Sequence, residues 1–358
     1  MQLKNNFEKY KDVESKMIWG KHNTPTPFIT FAIPTYKRSD LLQETLFSIF
    51  NQVGFDDYEI VITDDGINHD GSDSPALNLV KSLCNNKIIL YQNISTLGLF
   101  GNWNRSIEVS KSNFVCTLHE DDMVFESFLK ETVKILKSKP VIDILGVVRK
   151  DLDQRDIPYS QKKIGRGFHP FVFLNHVINN KLAGKVTRVN KWDLYPHIAF
   201  TFSGSIVKKQ TFIELGGFNE DWNPSADYVF ESQAVLSSNV YLLNKQLTYY
   251  RILSNESGKL NTVKGFTKMD YLYHNIFVTY FPKILQSLMK LSNKVLVYYQ
   301  VVGLNKFWNK TVIEEEIFRD LNIGLKYKSY RYRLLYTVFI KLFKQITKLS
   351  MIYRSYHV

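Results

Sequence analysis

Between residues 28 and 137 the chain alternates short apolar runs with longer stretches whose apolar residues recur every three or four positions. Few folds accept such an order. Phe28-Ile29-Thr30-Phe31-Ala32-Ile33 reads as a buried strand stopped by Pro34. Asp40 to Gln43 has the spacing of a capping box, with Asp40 as cap and Gln43 reaching back. Leu41, Leu42, Thr45, Leu46, Ile49 and Phe50 then follow at helical spacing. Further strands are predicted at 58–63, 88–91 and 114–118, and further helices at 76–84, 102–110 and 125–137. The order β-α-β-α-β-α-β predicts an α/β fold, a mostly parallel sheet flanked by helices. Ligands of such sheets bind outside the carboxyl ends of the strands. Three polar clusters fall just past strand ends: Pro34-Thr35-Tyr36, Asp64-Asp65 and Glu120-Asp121-Asp122.

The flanks differ in character. Residues 1–27 are polar and end in Thr24-Pro25-Thr26-Pro27, which favours an extended N-terminal segment. Residues 140–260 are punctuated by glycines, with one helix predicted at 228–236, and from Tyr271 onward the pattern is helical. The last segment, 321–358, has no acidic residue and carries Lys326, Lys328, Arg331, Arg333, Lys341, Lys344, Lys348 and Arg354. There Leu335, Val338, Phe339, Leu342, Ile346, Leu349 and Tyr353 form one apolar stripe on a basic amphipathic helix. Two arrangements suit such a helix: lying in an anionic membrane interface, or packing on the protein's own core with a solvated basic back.

Charge narrows the partners without choosing one. Lys plus Arg number 46 against 34 Asp plus Glu, a net +12 that favours anionic ligands, nucleic acid or anionic lipid. The two cysteines, Cys84 and Cys116, match no metal spacing and suit a reduced compartment. The first 20 residues contain no apolar h-region, and no stretch reaches about 18 apolar residues, so neither a signal peptide nor a spanning helix is expected.

Glu120-Asp121-Asp122 sets three carboxylates side by side after a buried strand. Such groups repel unless a cation neutralises them, and hard oxygen ligands suit Mg²⁺ or Mn²⁺. The same run also suits the acidic first turn of a following helix. Asp64-Asp65-Gly66 is either a turn, by its Asp-Gly signal, or a carboxylate offered to a base ring N–H. Asp227 reads as the N-cap of the 228–236 helix or as a general base. His169, His176 and His197 are irregularly spaced and read as structural. There is no Gly-rich phosphate loop, Ser nucleophile elbow or zinc spacing.

Taken together, Ile33-Pro34-Thr35-Tyr36-Lys37-Arg38 and Glu59-Ile60-Val61-Ile62-Thr63-Asp64-Asp65-Gly66 resemble the opening of family-2 glycosyltransferases with the Rossmann-like GT-A fold. Leu97 to Arg105 is similar to that family's next loop, and Leu118-His119-Glu120-Asp121-Asp122 falls where its DXD-type metal motif lies. Gly216-Gly217-Phe218-Asn219-Glu220, followed by Asp227, resembles its acceptor-side motif. The resemblance spans roughly residues 28–255.

The resemblance implies roles. Pro34, Thr35 and Tyr36 would line the nucleobase and ribose, Asp65 would accept from a uracil N–H, and Asp121 would lie by ribose and metal. Asn104 and Arg251 would join the nucleotide-sugar site, Asp122 and Glu120 would hold Mn²⁺ or Mg²⁺, and Asp227 would be the catalytic base. Trp222 either stacks on an acceptor sugar or fills the core. Three positions depart from the family pattern: Glu120 for the usual Asp, Ala226 where many relatives carry Glu, and Trp103 where many carry Arg. The implied activity is an inverting, metal-dependent transfer from a UDP-sugar to a hydroxyl of a lipid-linked or growing surface or capsular polysaccharide. The implied location is cytoplasmic, peripheral on the inner face of the cell membrane. On this reading 1–27 is an extension, 28–130 the nucleotide-sugar half, 131–258 the acceptor half and 259–358 a helical region carrying the membrane-associating helix.

Two other classes fit less of the chain. A nucleic-acid-binding protein would use the same positive charge, yet much of the excess lies in the C-terminal tail and no recognised binding module occurs, so nucleic acid is not an expected partner. A sugar nucleotidyltransferase needs a Gly-rich Arg/Lys loop after the first strand, where Pro34-Thr35-Tyr36 stands.

Overall fold

The structure, a computed structural model, describes residues 4–67, 72–154, 177–195, 200–253, 259–308, 313–324 and 329–357. His169, His176 and His197 lie outside the described residues.

The continuous apolar runs become buried strands. β1 (Ser15–Trp19), β2 (Ile29–Thr35), β3 (Tyr58–Asp64), β4 (Ile88–Asn93) and β5 (Phe114–Thr117) form one half of a single sheet, and every residue of β2 and β3 is buried. Strands covered on both faces need no alternation, which is why these runs are apolar throughout. β2 pairs in parallel with β3 and β5, and β3 pairs in parallel with β4. The register sets Thr35 opposite Asp64 and Ala32 opposite Thr117, so the polar strand ends share one rim. β2 continues through Pro34 instead of stopping there. Beyond Ala32 it has β3 alone as a partner, and a residue lacking an N–H is tolerated where one side is unpaired.

Helices α1 (Ser39–Phe50), α2 (Pro75–Leu83) and α3 (Leu99–Val109) connect the strands from β2 to β5, and α4 (Phe128–Ser138) leads on to the second half. The Asp40 capping box does not form: Arg38 is the N-cap residue of α1, and no side chain caps it. The second half of the sheet is mixed. β7 (Ile144–Asp153) and β10 (Val240–Ile252) are parallel, while β9 (Ile206–Lys208) lies between β5 and β7 and runs antiparallel to both. β8 (Val186–Arg188) and the two-residue β6 (Met123–Val124) both pair antiparallel with β10. β6 matters most for the site, because it returns the chain after Asp122 to the sheet.

The polar N-terminal segment is built onto this frame. β1 pairs antiparallel with β4. Arg105 on α3 donates to the Tyr10 and Val13 carbonyls at 2.8 and 2.7 Å, and the Asn6 amide N–H donates to the Gly216 carbonyl at 3.0 Å.

Helix α5 (Ala226–Ser237) precedes β10, and after the sheet come α6 (Leu260–Phe277), α7 (Lys283–Trp308) and α8 (Tyr330–Ser355). Tyr228 and Val229 of α5 share one hydrophobic cluster with Tyr273 and Phe277 of α6, Met289 of α7, and Ile340 and Phe343 of α8. α8 therefore packs on the core through Ile340, Phe343 and Met351. The stripe read from the sequence faces the other way, with Leu335, Val338, Leu342, Ile346, Leu349 and Tyr353 about half or more exposed. Phe339 is the exception, partly buried beside Phe343. Among the described residues no helix is long and apolar enough to cross a membrane.

One ion pair pins the end of α8. Arg354 donates from both terminal nitrogens to the Asp193 carboxylate, at 2.9 and 2.8 Å, and the Asp193 side chain is 2% exposed. Removing the cation strands a buried carboxylate, which costs about 3 kcal/mol. Arg354→Ala should lower the unfolding free energy by roughly that amount in urea titration, with part regained on adding Asp193→Asn.

Candidate active site

The acidic cluster is produced by a short detour between two strands. β5 ends at Thr117 and β6 begins at Met123, so His119 to Asp122 must turn sharply at the carboxyl rim. The hydroxyl of Thr45 on α1 lies 2.8 and 2.7 Å from the carbonyls of Glu120 and Asp122 and holds the turn from below. From β10, the Arg251 N–H donates to Asp122 Oδ1 at 3.1 Å, and Arg251 Nε donates to the Asp121 carbonyl at 2.9 Å. The Arg251 guanidinium also pairs with Glu44 at 2.7 Å, although the arginine is 2% exposed. Arg251 thus braces the acidic turn from behind.

Three side chains of the turn converge. His119, Asp121 and Asp122 offer ligand atoms within 4.8 Å of one another. His119 Nδ1 lies 3.3 Å from Asp122 Oδ2, which also accepts from Ser203 Oγ at 2.5 Å. Asp121 accepts from Arg38 Nη1 at 3.0 Å. Two carboxylates and an imidazole form a donor set suited to Mn²⁺, with Mg²⁺ served by the oxygens alone. Glu120 turns away from this group: its carboxylate accepts from the Tyr36 N–H at 3.0 Å and from the Thr35 hydroxyl. The cluster that could hold a cation therefore contains His119 in place of Glu120.

Burial and neighbours set the protonation of these groups. Burial pushes the Glu120 carboxyl up to about 7, against the downward pull of Thr35, Tyr36 and Arg38. Desolvation opposes charge on His119, but its bond to Asp122 and the fields of Asp122, Asp121 and Asp227 together raise its pKa. Burial likewise raises Asp227, partly offset by the Tyr228 N–H and His119.

These residues open onto one cavity of about 600 Å³. Pro34, Arg38, His119, Glu120 and Asp121 line it from the β2 and β5 ends, and Trp103 and Phe218 from α3 and the double-glycine loop. Asp227, in the first turn of α5, lines it from the other half. Its Oδ1 accepts from the neighbouring Tyr228 N–H at 2.8 Å, and the N-cap position belongs to Ser225. The helix Leu260–Phe277 closes the cavity with Thr262, Phe266, Asp270 and His274.

The other residues singled out from the sequence sit around this wall. Asp122 and Arg251 lie directly behind the turn, both buried. Tyr36 is 52% exposed at the rim, and Thr35 is buried below it. Asp65 is buried, and its carboxylate accepts from the Leu97 and Gly98 N–H groups at 2.8 and 2.9 Å and from Asn93 at 2.9 Å. It fixes the loop that starts α3. Both polar atoms of the Asn104 amide meet the Phe218 backbone, at 2.9 and 2.8 Å, and so tie α3 to the double-glycine loop. A Cβ on Gly217 would come within 2.7 Å of Asn104 Oδ1, and its φ of +68° also favours glycine. Trp222 is partly buried, with its ring edge-on to Tyr273 at a centroid distance of 5.4 Å.

Sequence reasoning assigned no role to His119, Arg38 or Asp270. His119 and Arg38 each stand inside a quoted motif, next to the residues that drew attention. Asp270 carries no local signal, since it reaches the cavity only through the docking of α6 on α5.

Known proteins share the family pattern and the fold. The family model described as glycosyl transferase family 2 matches residues 30–207. GalNAc(5)-diNAcBac-PP-undecaprenol beta-1,3-glucosyltransferase of Campylobacter jejuni is 26% identical over 74% of this chain and 76% of its own. The fold is similar to that of Staphylococcus aureus TarS in complex with UDP-GlcNAc, with a TM-score of 0.57 at 16% identity over 92% of this chain and 91% of that one. It is also similar to mannosyltransferase PcManGT from Pyrobaculum calidifontis in complex with GDP-Man and Mn²⁺, with a TM-score of 0.52 at 13% identity over 96% and 92% of the two chains.

The Glu120 carboxyl gives a pH signature. Its folded pKa, about 7, lies above the ordinary value of 4.5, so the folded chain binds this proton more tightly than the unfolded chain. Its contribution is fully present below pH 4.5 and is lost as pH rises through 7. Relative to Glu120→Gln, the wild type should lose on the order of 2 kcal/mol across that window, read from unfolding curves at several pH values.

Proposed function

We propose that this chain, a family-2 glycosyltransferase, is an inverting enzyme moving a sugar from a UDP-sugar to a hydroxyl of a lipid-linked or growing polysaccharide. One observation carries the reading: a single cavity collects Asp121 and His119 from one half of the sheet domain and Asp227 from the other. A group-transfer reaction needs a leaving-group site and a base facing one reacting carbon, and this cavity offers both.

The leaving group is a nucleoside diphosphate. Asp121, Asp122 and His119 would hold a divalent ion, Mn²⁺ or Mg²⁺, and when bound such an ion neutralises charge developing on the departing phosphate. Arg38, at the same wall and 3.0 Å from Asp121, adds a fixed positive charge for the diphosphate. Pro34, Thr35 and Tyr36 form the rim on which base and ribose rest, and Asp65 serves the base end of the site together with the 97–98 loop that it fastens. Arg251 and Asn104 act as positioning residues, the first behind the acidic turn and the second under the double-glycine loop. Glu120 orients the rim through Tyr36 and Thr35.

Asp227 takes the proton from the attacking hydroxyl. Its raised pKa makes it a stronger base than an exposed aspartate. Attack from the Asp227 side, opposite the diphosphate, inverts the anomeric centre. Trp222 borders the acceptor side beside Asn223, which lines the cavity. The Campylobacter relative is named for an undecaprenol-linked acceptor, which supports a lipid-linked saccharide here.

Such an acceptor sits at a membrane, and α8 supplies a surface for it. Its outward stripe from Leu335 to Tyr353 is exposed, and Lys341 and Lys344 flank it. α7 packs beside it, with Tyr299 against Tyr336, and leaves Ile284 of its own first turn 87% exposed. An apolar stripe with basic flanks fits the anionic inner face of the cell membrane, and each basic group near that surface contributes about 1 kcal/mol. The protein would then work from the cytoplasmic side as a peripheral enzyme.

Two outcomes test this. Asp121→Asn and Asp227→Asn should each lower transfer from a UDP-sugar about a hundredfold or more. Calorimetry should show Asp121→Asn losing manganese-dependent UDP uptake while Asp227→Asn keeps it. Full activity in either variant would sink the site. Separately, Leu342→Glu with Ile346→Glu alters exposed positions only, so the fold should persist while co-sedimentation with phosphatidylglycerol vesicles is lost.

A further inference from the structure

One wall of the cavity belongs to none of the motif-bearing elements. It is α6, which lines the cavity with Thr262, Phe266 and Asp270. These stand at i, i+4 and i+8, so they share one face of the helix. The helix is pressed closely onto the segment that carries Asp227. A Cβ on Gly265 would lie 2.9 Å from Pro224 Cδ, nearer than real Cβ atoms approach. Ser225 Oγ donates to Asp270 Oδ1 at 2.7 Å. Behind this contact Tyr228 and Tyr273 meet edge to face at 5.6 Å.

A series of charged groups lines the cavity. Electrostatic influence runs from Asp121 and Asp122 to His119, from His119 to Asp227, and from Asp227 to Asp270. Arg38 lines the cavity beside Asp121, where its charge suits an anionic diphosphate. Asp227 and Asp270 also line it, close enough for the field of Asp227 to act on Asp270, so an anion between them would be repelled. Burial and Asp227 lift the Asp270 carboxyl to about 6 despite the Ser225 bond, so at neutral pH it is mainly the ionised, acceptor-only form. A carboxylate of this kind accepts from hydroxyl groups, and an aromatic ring beside it covers the apolar C–H face of a sugar.

We propose that Asp270, with Phe266 and Thr262 on the same face of α6, forms the acceptor-recognition subsite and takes an uncharged saccharide. Hydroxyls of that saccharide donate to Asp270 while the reacting hydroxyl lies at Asp227. The proposal rests on the glycosyltransferase reading of the same cavity. It assigns the C-terminal helical region a direct part in substrate choice, beyond any contact with a membrane.

The test separates acceptor binding from donor binding. Full-length protein is assayed with UDP-glucose, Mn²⁺ and the p-nitrophenyl hexoside or N-acetylhexosaminide that the wild type glycosylates fastest. Asp270→Asn keeps an oxygen for Ser225 but loses the charge. It should raise the acceptor KM about tenfold, the loss of one charge-assisted hydrogen bond, with kcat little changed and UDP uptake intact. Gly265→Ala, which wedges α6 away from Pro224, should shift the acceptor KM in the same direction. An unchanged acceptor KM in Asp270→Asn, even with a lower melting temperature, would reduce Asp270 to a structural tie and overturn the proposal. A parallel loss of UDP uptake would overturn it too, by assigning Asp270 to donor binding. Wild-type protein that takes up no UDP with manganese would instead remove the parent reading.

Discussion

Two adjacent carboxylates on a four-residue turn repel each other, and the structure depends on how that repulsion is contained. Asp121 and Asp122 are both buried, so solvent does little to screen them. Arg38 reaches Asp121 from the end of β2, while Ser203 and the Arg251 N–H hold Asp122. These partners come from three distant parts of the chain, so the turn is correctly shaped only when both halves of the sheet are assembled. β6, a mere two residues long, locks that assembly by pairing with β10 at Thr248 and Tyr249.

The same assembly explains why the site is shared. β2, β3 and β5 deliver rim and acids at their carboxyl ends, as a parallel sheet must. The second half delivers Asp227 on a helix that also belongs to the core of the C-terminal region, through Tyr228 and Val229. α6 enters the cavity because its buried face, Tyr273 and Phe277, packs on that helix. α8 then uses one face for packing and leaves a second apolar face outward. Core packing, one of the two arrangements that the sequence left open, is made by a face other than the predicted stripe.

Much of the frame was legible. The β-α-β alternation, the buried runs and the strand-end position of the acids follow from local apolar spacing, and they match β2 to α4. The errors were local too. Pro34 did not stop β2, because pairing partners rather than intrinsic preference decide where a proline is tolerated. Asp40 did not cap α1, because the chain preceding that helix is organised around Glu120 and Asp121 through Tyr36 and Arg38. The antiparallel insertion of β9 between β5 and β7 had no sequence signal, since three residues set no period.

The sequence by itself determined the fold class, the rim where the strand ends meet and the identity of most acids there, because strand periodicity and strand ends are properties of neighbouring residues. Only the tertiary structure decided how each side chain is used. It turned Glu120 toward Tyr36 and brought His119 to Asp122, it committed Asp65 and Asn104 to the backbones of other loops, and it set Asp270 beside Ser225. Those outcomes depend on which groups remain unsatisfied once distant elements meet, and a buried polar group must find its partner across the chain.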